Sequence, residues 1–241
     1  MSLSIIIPCY NEENIIKETV NYIKKSVINI EYEIIIINDF STDNTKYVLS
    51  NINKSISNIK IIQNVKKGLG SAIDLGITKS TKKYVCIFMA DMSDDIKDLI
   101  NYYNLIKRSN ADAVFGSRFL KKSKVLNYPF TKLILNRIFN LIVSLLFLSK
   151  YNDYTNAFKI YKKNTLLELK PFISENFNIF LELPLKIISR KYTFIITPIN
   201  WYNRKIGKSK FKIRELGSKY LFTLLYCWLE KVLLKKNIRN K

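Results

Sequence analysis

Three apolar runs in this chain are each followed by polar residues able to bind a cation or a sugar hydroxyl. Pro8-Cys9-Tyr10-Asn11-Glu12 follows Ile5-Ile6-Ile7, and Asn38-Asp39-Phe40-Ser41-Thr42-Asp43 follows Ile34–Ile37. Met89-Ala90-Asp91-Met92-Ser93-Asp94-Asp95 follows Val85–Phe88. The whole sequence holds 40 Lys and Arg against 19 Asp and Glu. Acids gathered at a few points of so basic a chain favour a binding site over plain surface solvation. Helix N-caps and first-turn acids are the competing explanation. Asp91 stands just past its run. A hard divalent cation takes oxygen ligands and keeps substrate phosphates in its shell. Asp91 is therefore one candidate ligand, and Ser93, two residues on, is a second.

Two further segments suit phosphate. Lys67-Gly68-Leu69-Gly70 precedes an apolar helical pattern with Ala72, Ile73 and Gly76. Glycines let backbone approach a phosphate, and Lys67 can balance its charge. The dinucleotide fingerprint is not met, because its third Gly is missing and the loop follows the third apolar run rather than the first. A plain strand-to-helix turn explains the segment equally well. Arg204-Lys205-Ile206-Gly207-Lys208-Ser209-Lys210 places cations and a hydroxyl around a Gly, which suits a diphosphate. Tyr202 stands where a P-loop needs its first Gly, so that motif is excluded.

The sequence contains no His and three widely spaced Cys, namely Cys9, Cys86 and Cys227. A Cys/His zinc site of the usual kind and a disulfide framework are not expected on that composition, and a reducing cytosol fits. Any general base must be a carboxylate, Lys, Tyr or Cys.

The elements that position these residues follow from the pattern. The apolar runs do not alternate with polar residues, so they read as strands buried on both faces. Ile59–Ile62 and Ala113–Phe115 read as further strands. Ile16, Val20, Ile23 and Val27 share one helical face, with Asn11 as candidate N-cap. Ile96, Leu99, Ile100, Tyr103 and Ile106 share another, opened by Asp94 and Asp95. Strand–helix alternation over residues 4–117 predicts right-handed βαβ units. The expected class is α/β, with a mostly parallel sheet flanked by helices. Ligands of such sheets bind beyond the carboxyl ends of the strands, where the polar segments lie.

Taken in order, these segments resemble the family 2 glycosyltransferases of the GT-A fold. The resemblance is carried by residues 6–12, 38–45, 67–70 and 89–95, by Gly116-Ser117-Arg118-Phe119 and by Asp153-Tyr154-Thr155-Asn156-Ala157-Phe158-Lys159. Glu182-Leu183-Pro184-Leu185-Lys186, Pro198 and the Arg204–Lys210 segment resemble the dolichol- or polyprenyl-phosphate sugar synthases in particular. The resemblance spans residues 3–212. It implies that Pro8, Tyr10, Asn11, Glu12, Asp39, Lys67, Gly68, Gly70 and Asp91 bind a GDP- or UDP-sugar. It implies that Asp91 and Ser93 hold Mg2+ or Mn2+. Arg118, Arg137, Arg204, Ser209 and Lys210 would face donor or acceptor phosphates, and Asp91, Arg118 and Asp153 would be catalytic. Four positions depart from the pattern. Met89 stands at the first Asp of the usual DxD, Asn38 replaces an Asp, Phe40 a Gly, and Asn156-Ala157 a Ser-Gly.

The implied reaction is inverting transfer of one hexosyl unit to a polyprenyl phosphate. An acceptor of this kind is already anionic and needs no strong base. A hydroxyl acceptor is the alternative, and it would need Asp94, Asp95 or Asp153 as base. A net charge of +21 also suits nucleic acid, but no binding module or interleaved aromatic platform is present, so nucleic acid is not an expected partner.

Residues 1–212 form the expected GT-A domain, and 213–241 an amphipathic, basic C-terminal helix. Phe130–Ser149, within a 129–150 segment, and Leu216–Leu234 are apolar with basic residues nearby. Helices of this kind lie in a membrane interface or pack on the protein. No run reaches the ~20 apolar residues of a spanning helix, and Ser4–Pro8 is too short for a signal peptide. The expectation is a peripheral protein on the cytoplasmic face of an anionic membrane, alone or with a separate membrane-spanning subunit.

Overall fold

The computed structural model describes residues 2–53, 58–203 and 213–233. The chain runs β1 (Ser2–Cys9), α1 (Ile16–Ser26), β2 (Glu31–Asn38), α2 (Thr45–Asn53), β3 (Ile59–Gln63), α3 (Leu69–Lys79), β4 (Tyr84–Ile87) and α4 (Ile96–Ser109). It continues through β5 (Ala113–Ser117), β6 (Val125–Leu126), α5 (Phe130–Phe147), β7 (Lys159–Lys162), α6 (Lys163–Glu168), α7 (Ile179–Ser189), β8 (Phe194–Pro198), β9 (Trp201–Tyr202) and α8 (Ile213–Leu233). Seven strands form one sheet in the order β3-β2-β1-β4-β7-β5-β8. All neighbours pair in parallel except β7, which is antiparallel to β4 and β5.

The isoleucine runs are strands for the reason their patterning gives. Ile5, Ile7, Ile34, Ile36 and Cys86 pack into a core with α1, α2 and α4. Ile6, Val85 and Ile87 point into a second core with α3, α5 and α7, while Ile35 and Ile37 meet Ala72 of α3. Both faces are covered, so both parities must be apolar. Ile16, Val20, Ile23 and Val27 of the first helical segment are buried, as are Ile96, Leu99, Tyr103 and Ile106 of α4. Asp95 caps α4 by accepting from the Lys97 backbone N–H at 2.9 Å. Asn11 does not cap α1. Helix α1 starts five residues later, and Asn11 adopts a left-handed φ of 52° with its side chain turned to Thr42.

At the other edge of the sheet, Glu33 is 5% exposed. It accepts from Ser4 Oγ at 2.7 Å, Thr81 N at 2.6 Å, Thr81 Oγ1 at 2.8 Å and Lys60 Nζ at 2.8 Å. Burial alone would raise this carboxyl, but Lys60, Thr81 and Ser4 outweigh it and hold it at about 2 against an ordinary 4.5. The folded value lies below the unfolded one. The resulting stability is therefore present above about pH 4.5 and lost as pH falls toward 2, and amounts to about 3 kcal/mol. In urea unfolding, Glu33→Gln should be less stable than the parent at pH 7, with a gap that narrows steadily below pH 4.5. A gap unchanged down to about pH 3 would contradict this account of Glu33.

Helix α5 corrects one expectation. It has 18 residues and is long and apolar enough to cross a membrane, with only 17% of it buried. At 1.5 Å per residue it spans about 27 Å, close to a bilayer's hydrocarbon core. The apolar pattern seen in sequence was interrupted by Lys132, Asn136 and Arg137, which the helix gathers into its N-terminal half.

Candidate active site

Register brings the polar segments together. Cys9 lies opposite Asn38, and Asn38 opposite Gln63, so the loops after β1, β2 and β3 leave the sheet side by side. The first two loops are laced to each other. Asn11 N donates to Ser41 Oγ at 3.0 Å, Thr42 N to Asn11 Oδ1 at 2.7 Å, and Glu12 N to Thr45 Oγ1 at 2.9 Å. Phe40, the position of a Gly in the resembling pattern, holds a left-handed φ of 58°. Asp39 is buried, and its Oδ1 accepts from Asn64 Nδ2 at 2.8 Å and Gly68 N at 2.9 Å. Its Oδ2 accepts no hydrogen bond from the described residues and is the oxygen a nucleoside hydroxyl can meet. Lys67 Nζ stands 5.5 Å from the Tyr10 ring centre. Pro8 is buried in β1 beside Ile37.

Gly68 and Gly70 are needed for a different reason from the one their spacing suggests. Gly70 N donates to Glu175 O at 2.9 Å. A Cβ on Gly70 would lie 1.8 Å from Ser174 O, and one on Gly68, at φ 139°, 2.6 Å from Glu175 O. The glycines admit a neighbouring loop rather than a phosphate. That loop is held by Glu182, which accepts from Ile173 N at 2.9 Å and Ser174 N at 2.8 Å. Lys186, fully buried with Glu182, pairs with it at 2.7 Å and donates to Pro171 O at 2.5 Å. The Glu182–Lys186 turn of α7 thus supports the glycine loop, which in turn holds Asp39. Gly70→Ala should cost on the order of 2–3 kcal/mol, because the opposing atoms are backbone and cannot turn aside. Gly217→Ala, where a Cβ meets nothing within 4 Å, should stabilise helix α8 by about 0.5–1 kcal/mol. Thermal unfolding of the two variants checks both signs.

The loop after β4 meets a second group of residues around a pocket of about 220 Å³. Asp91, Ser93 and Asp94 line it from the loop after β4, Arg118 from the end of β5, and Asn156 from the loop before β7. Tyr128 and Trp201 close one side, and Lys132, Asn136 and Tyr220 reach in from α5 and α8. Met92 takes a left-handed φ of 55°, and Ser93 N donates to Asp91 Oδ1 at 3.1 Å, so this loop curls tightly. Asp94 is 4% exposed. Burial, then the charge of Asp91, push it up to about 8, against the pull of Arg118. Among the described residues, no three acidic or thiol groups lie close enough to hold a metal on their own. A cation here would be shared with ligand phosphates.

Arg118 and Asp153 form one buried unit. Arg118 donates Nε to Asp153 Oδ2 at 2.9 Å, Nη2 to Oδ1 at 2.7 Å, and its backbone N to Oδ2 at 2.9 Å. Burial opposes the guanidinium charge, but Asp153, Tyr128 and Asp94 together raise it above the ordinary range. The rings of Phe119, Tyr128 and Trp201 surround the guanidinium at 5.5, 5.5 and 5.9 Å. Asp153, expected as a catalytic group, instead spends its carboxylate on Arg118 and does not line the pocket. Arg137, expected at a phosphate, donates to Asn152 O at 3.1 Å and stacks 4.3 Å from Phe119. Arg204, Ser209 and Lys210 lie outside the described residues. Lys159 was read only as part of the 153–159 segment, with no role of its own. It is buried beneath the pocket, donates to Tyr154 O at 3.1 Å and to Asn156 O, and burial lowers it to about 7.

The Glycosyl transferase family 2 model matches residues 4–170. The chain belongs to this family. It is 27% identical over 218 residues to a dolichol-phosphate mannosyltransferase of Pyrococcus furiosus, covering 88% of this chain and 60% of that protein. It is 30% identical over 226 residues to a dolichyl-phosphate beta-glucosyltransferase of Trichomonas vaginalis, covering 88% and 68%. The chain thus spans about three fifths to two thirds of the length of these relatives. Among solved structures, it matches glucosyl-3-phosphoglycerate synthase from Mycobacterium tuberculosis in complex with Mn2+, uridine diphosphate and phosphoglyceric acid. The TM-score is 0.71 at 17% identity, over 94% of this chain and 78% of that one. The family 2 chain has the GT-A fold: a mostly parallel sheet flanked by helices, with its polar loops at one edge.

Proposed function

We propose that this chain transfers one hexosyl unit, with inversion, from a nucleoside diphosphate sugar to a polyprenyl phosphate at a membrane surface. The observation that carries the reading is one pocket with two unlike walls. Asp91, Ser93 and Asp94 form the sheet-edge wall, and the start of α5 with Tyr220 of α8 forms the other. The outer faces of those two helices are apolar and exposed, at Leu135, Ile138, Leu141 and Leu145 on α5 and at Leu221, Phe222 and Leu225 on α8. A lipid carrying a phosphate can lie along such a face and bring its head group to the pocket. Two relatives are named for dolichyl phosphate, which supports the same acceptor class.

The donor nucleoside would sit between Asp39 and Tyr10, and the diphosphate toward Asp91. The pocket fits a divalent ion, Mg2+ or Mn2+, since Asp91 and Ser93 supply hard oxygens beside space for ligand phosphates. When bound, such an ion would help neutralise the departing diphosphate. Arg118 is pre-set by Asp153 and its three rings, so its charge faces the reacting phosphates with little reorganisation. An anionic acceptor oxygen attacks the sugar carbon without a general base, which suits a chain lacking His. The three cysteines are buried and none forms a disulfide, which fits a cytoplasmic face.

The test uses purified full chain with vesicles of anionic lipid, with and without polyprenyl phosphate, and radiolabelled UDP- and GDP-hexoses. The expected result is label in the vesicle fraction only when polyprenyl phosphate and a divalent ion are both present. Label that stays in the aqueous phase with every donor would overturn the reading.

A further inference from the structure

The pocket contains a buried acid whose carboxyl makes no hydrogen bond or ion pair with the described residues. Asp94 is 4% exposed and lines the cavity, yet its carboxyl accepts no hydrogen bond from the described residues. Leaving a carboxylate in that condition is unfavourable, so such groups are paired, protonated or bound to metal. The nearby cations act on it only through space. Arg118 spends Nε and Nη2 on Asp153, and Lys159 Nζ donates to two backbone carbonyls. The left-handed turn at Met92 is what brings Asp94 to the same cavity as Asp91 and Ser93. Met89 also lines the cavity, at the position where the resembling pattern has an acid. Its thioether is a soft donor and a poor ligand for Mg2+ or Mn2+.

We propose that Asp94 is a direct ligand of the divalent cation and supplies the second carboxylate that Met89 cannot. The ion would then be held by Asp91, Asp94 and Ser93 together with the donor diphosphate. This rests on the reading of the pocket as a metal-assisted nucleoside diphosphate site. It reassigns Asp94, which under a hydroxyl-acceptor reaction would serve as base.

Binding rather than turnover tests it. Mn2+ affinity is measured by electron paramagnetic resonance on the full chain, at fixed neutral pH, with saturating UDP and separately GDP. Asp94→Asn keeps the shape and removes the charge, and circular dichroism checks its fold. The expected result is a loss of Mn2+ affinity of at least about tenfold, with most of it regained in Met89→Asp/Asp94→Asn. Recovery by an acid at position 89 is something a merely structural role for Asp94 would not produce. An Asp94→Asn variant that binds Mn2+ within twofold of the parent overturns the proposal and leaves the metal reading standing. A loss that Met89→Asp does not recover also overturns it. A parent chain that binds no Mn2+ with either nucleotide overturns both.

Discussion

Asp91→Asn is expected to reduce sugar transfer by at least about a thousandfold, or about 4 kcal/mol of barrier, while the chain stays folded. Asn keeps the size of the side chain and an oxygen able to accept from Ser93 N, so the turn survives. What is lost is the negative charge at the point where Mn2+ or Mg2+ and the donor diphosphate would meet. Rates measured at saturating donor, with thermal unfolding of the same sample, separate the two effects. Transfer within about tenfold of the parent would remove Asp91 from the centre of the site. A softer result is expected for Asp39→Ala. Its contact with the nucleoside is the same in ground and transition states, so donor KM rises more than kcat falls.

The second large effect belongs to the Arg118–Asp153 pair. Asp153 is fully buried and Arg118 nearly so, at 8% exposed. Asp153→Ala would leave a guanidinium buried without its fork partner. The expected loss of stability is about 3–5 kcal/mol, read by denaturant unfolding. Replacing both residues, as Arg118→Met with Asp153→Leu, should regain most of that stability, because no charge is left unpaired. The double variant should still be inactive in transfer, because nothing faces the phosphates. If the double variant is no more stable than Asp153→Ala alone, the pair is not the reason for the loss. If it transfers sugar at the parent rate, Arg118 has no part in the reaction.

These two results touch residues whose visibility in the sequence was unequal. Asp91 could be found because a short, continuous, β-branched apolar run reads as a two-face-buried strand, and such strands put ligands at their carboxyl ends. The same logic located Asp39 and the Tyr10–Glu12 loop. The Arg118–Asp153 pairing joins residues 35 apart and depends on β7 entering the sheet antiparallel between β4 and β5. Lys159-Ile160-Tyr161-Lys162 is too short and too mixed to announce that placement. The aromatic wall was also hidden. Tyr128 and Trp201 meet, with ring centres 5.0 Å apart, across the two-residue pairing of β6 with β9. Two-residue strands leave no periodicity to read. The glycines of 68–70 were visible as glycines, but their purpose was not, since the carbonyls they admit come from residues 174 and 175. Asp94 was visible as an acid in the right segment. Only its burial, and the absence of a described donor to its carboxyl, make it a ligand candidate rather than a helix-opening acid.

The central claim is that the acceptor is a lipid phosphate. It is tested most directly by offering the purified chain polyprenyl phosphate and the unphosphorylated polyprenol of the same length. Both are supplied with the same labelled nucleoside diphosphate sugar and Mn2+, and the labelled lipid products are weighed by mass spectrometry. The account predicts a glycosyl phosphodiester from the first and no product from the second. Glycosylated polyprenol formed as fast as the phosphodiester would contradict it, since the reaction would then need a base and no phosphate clamp.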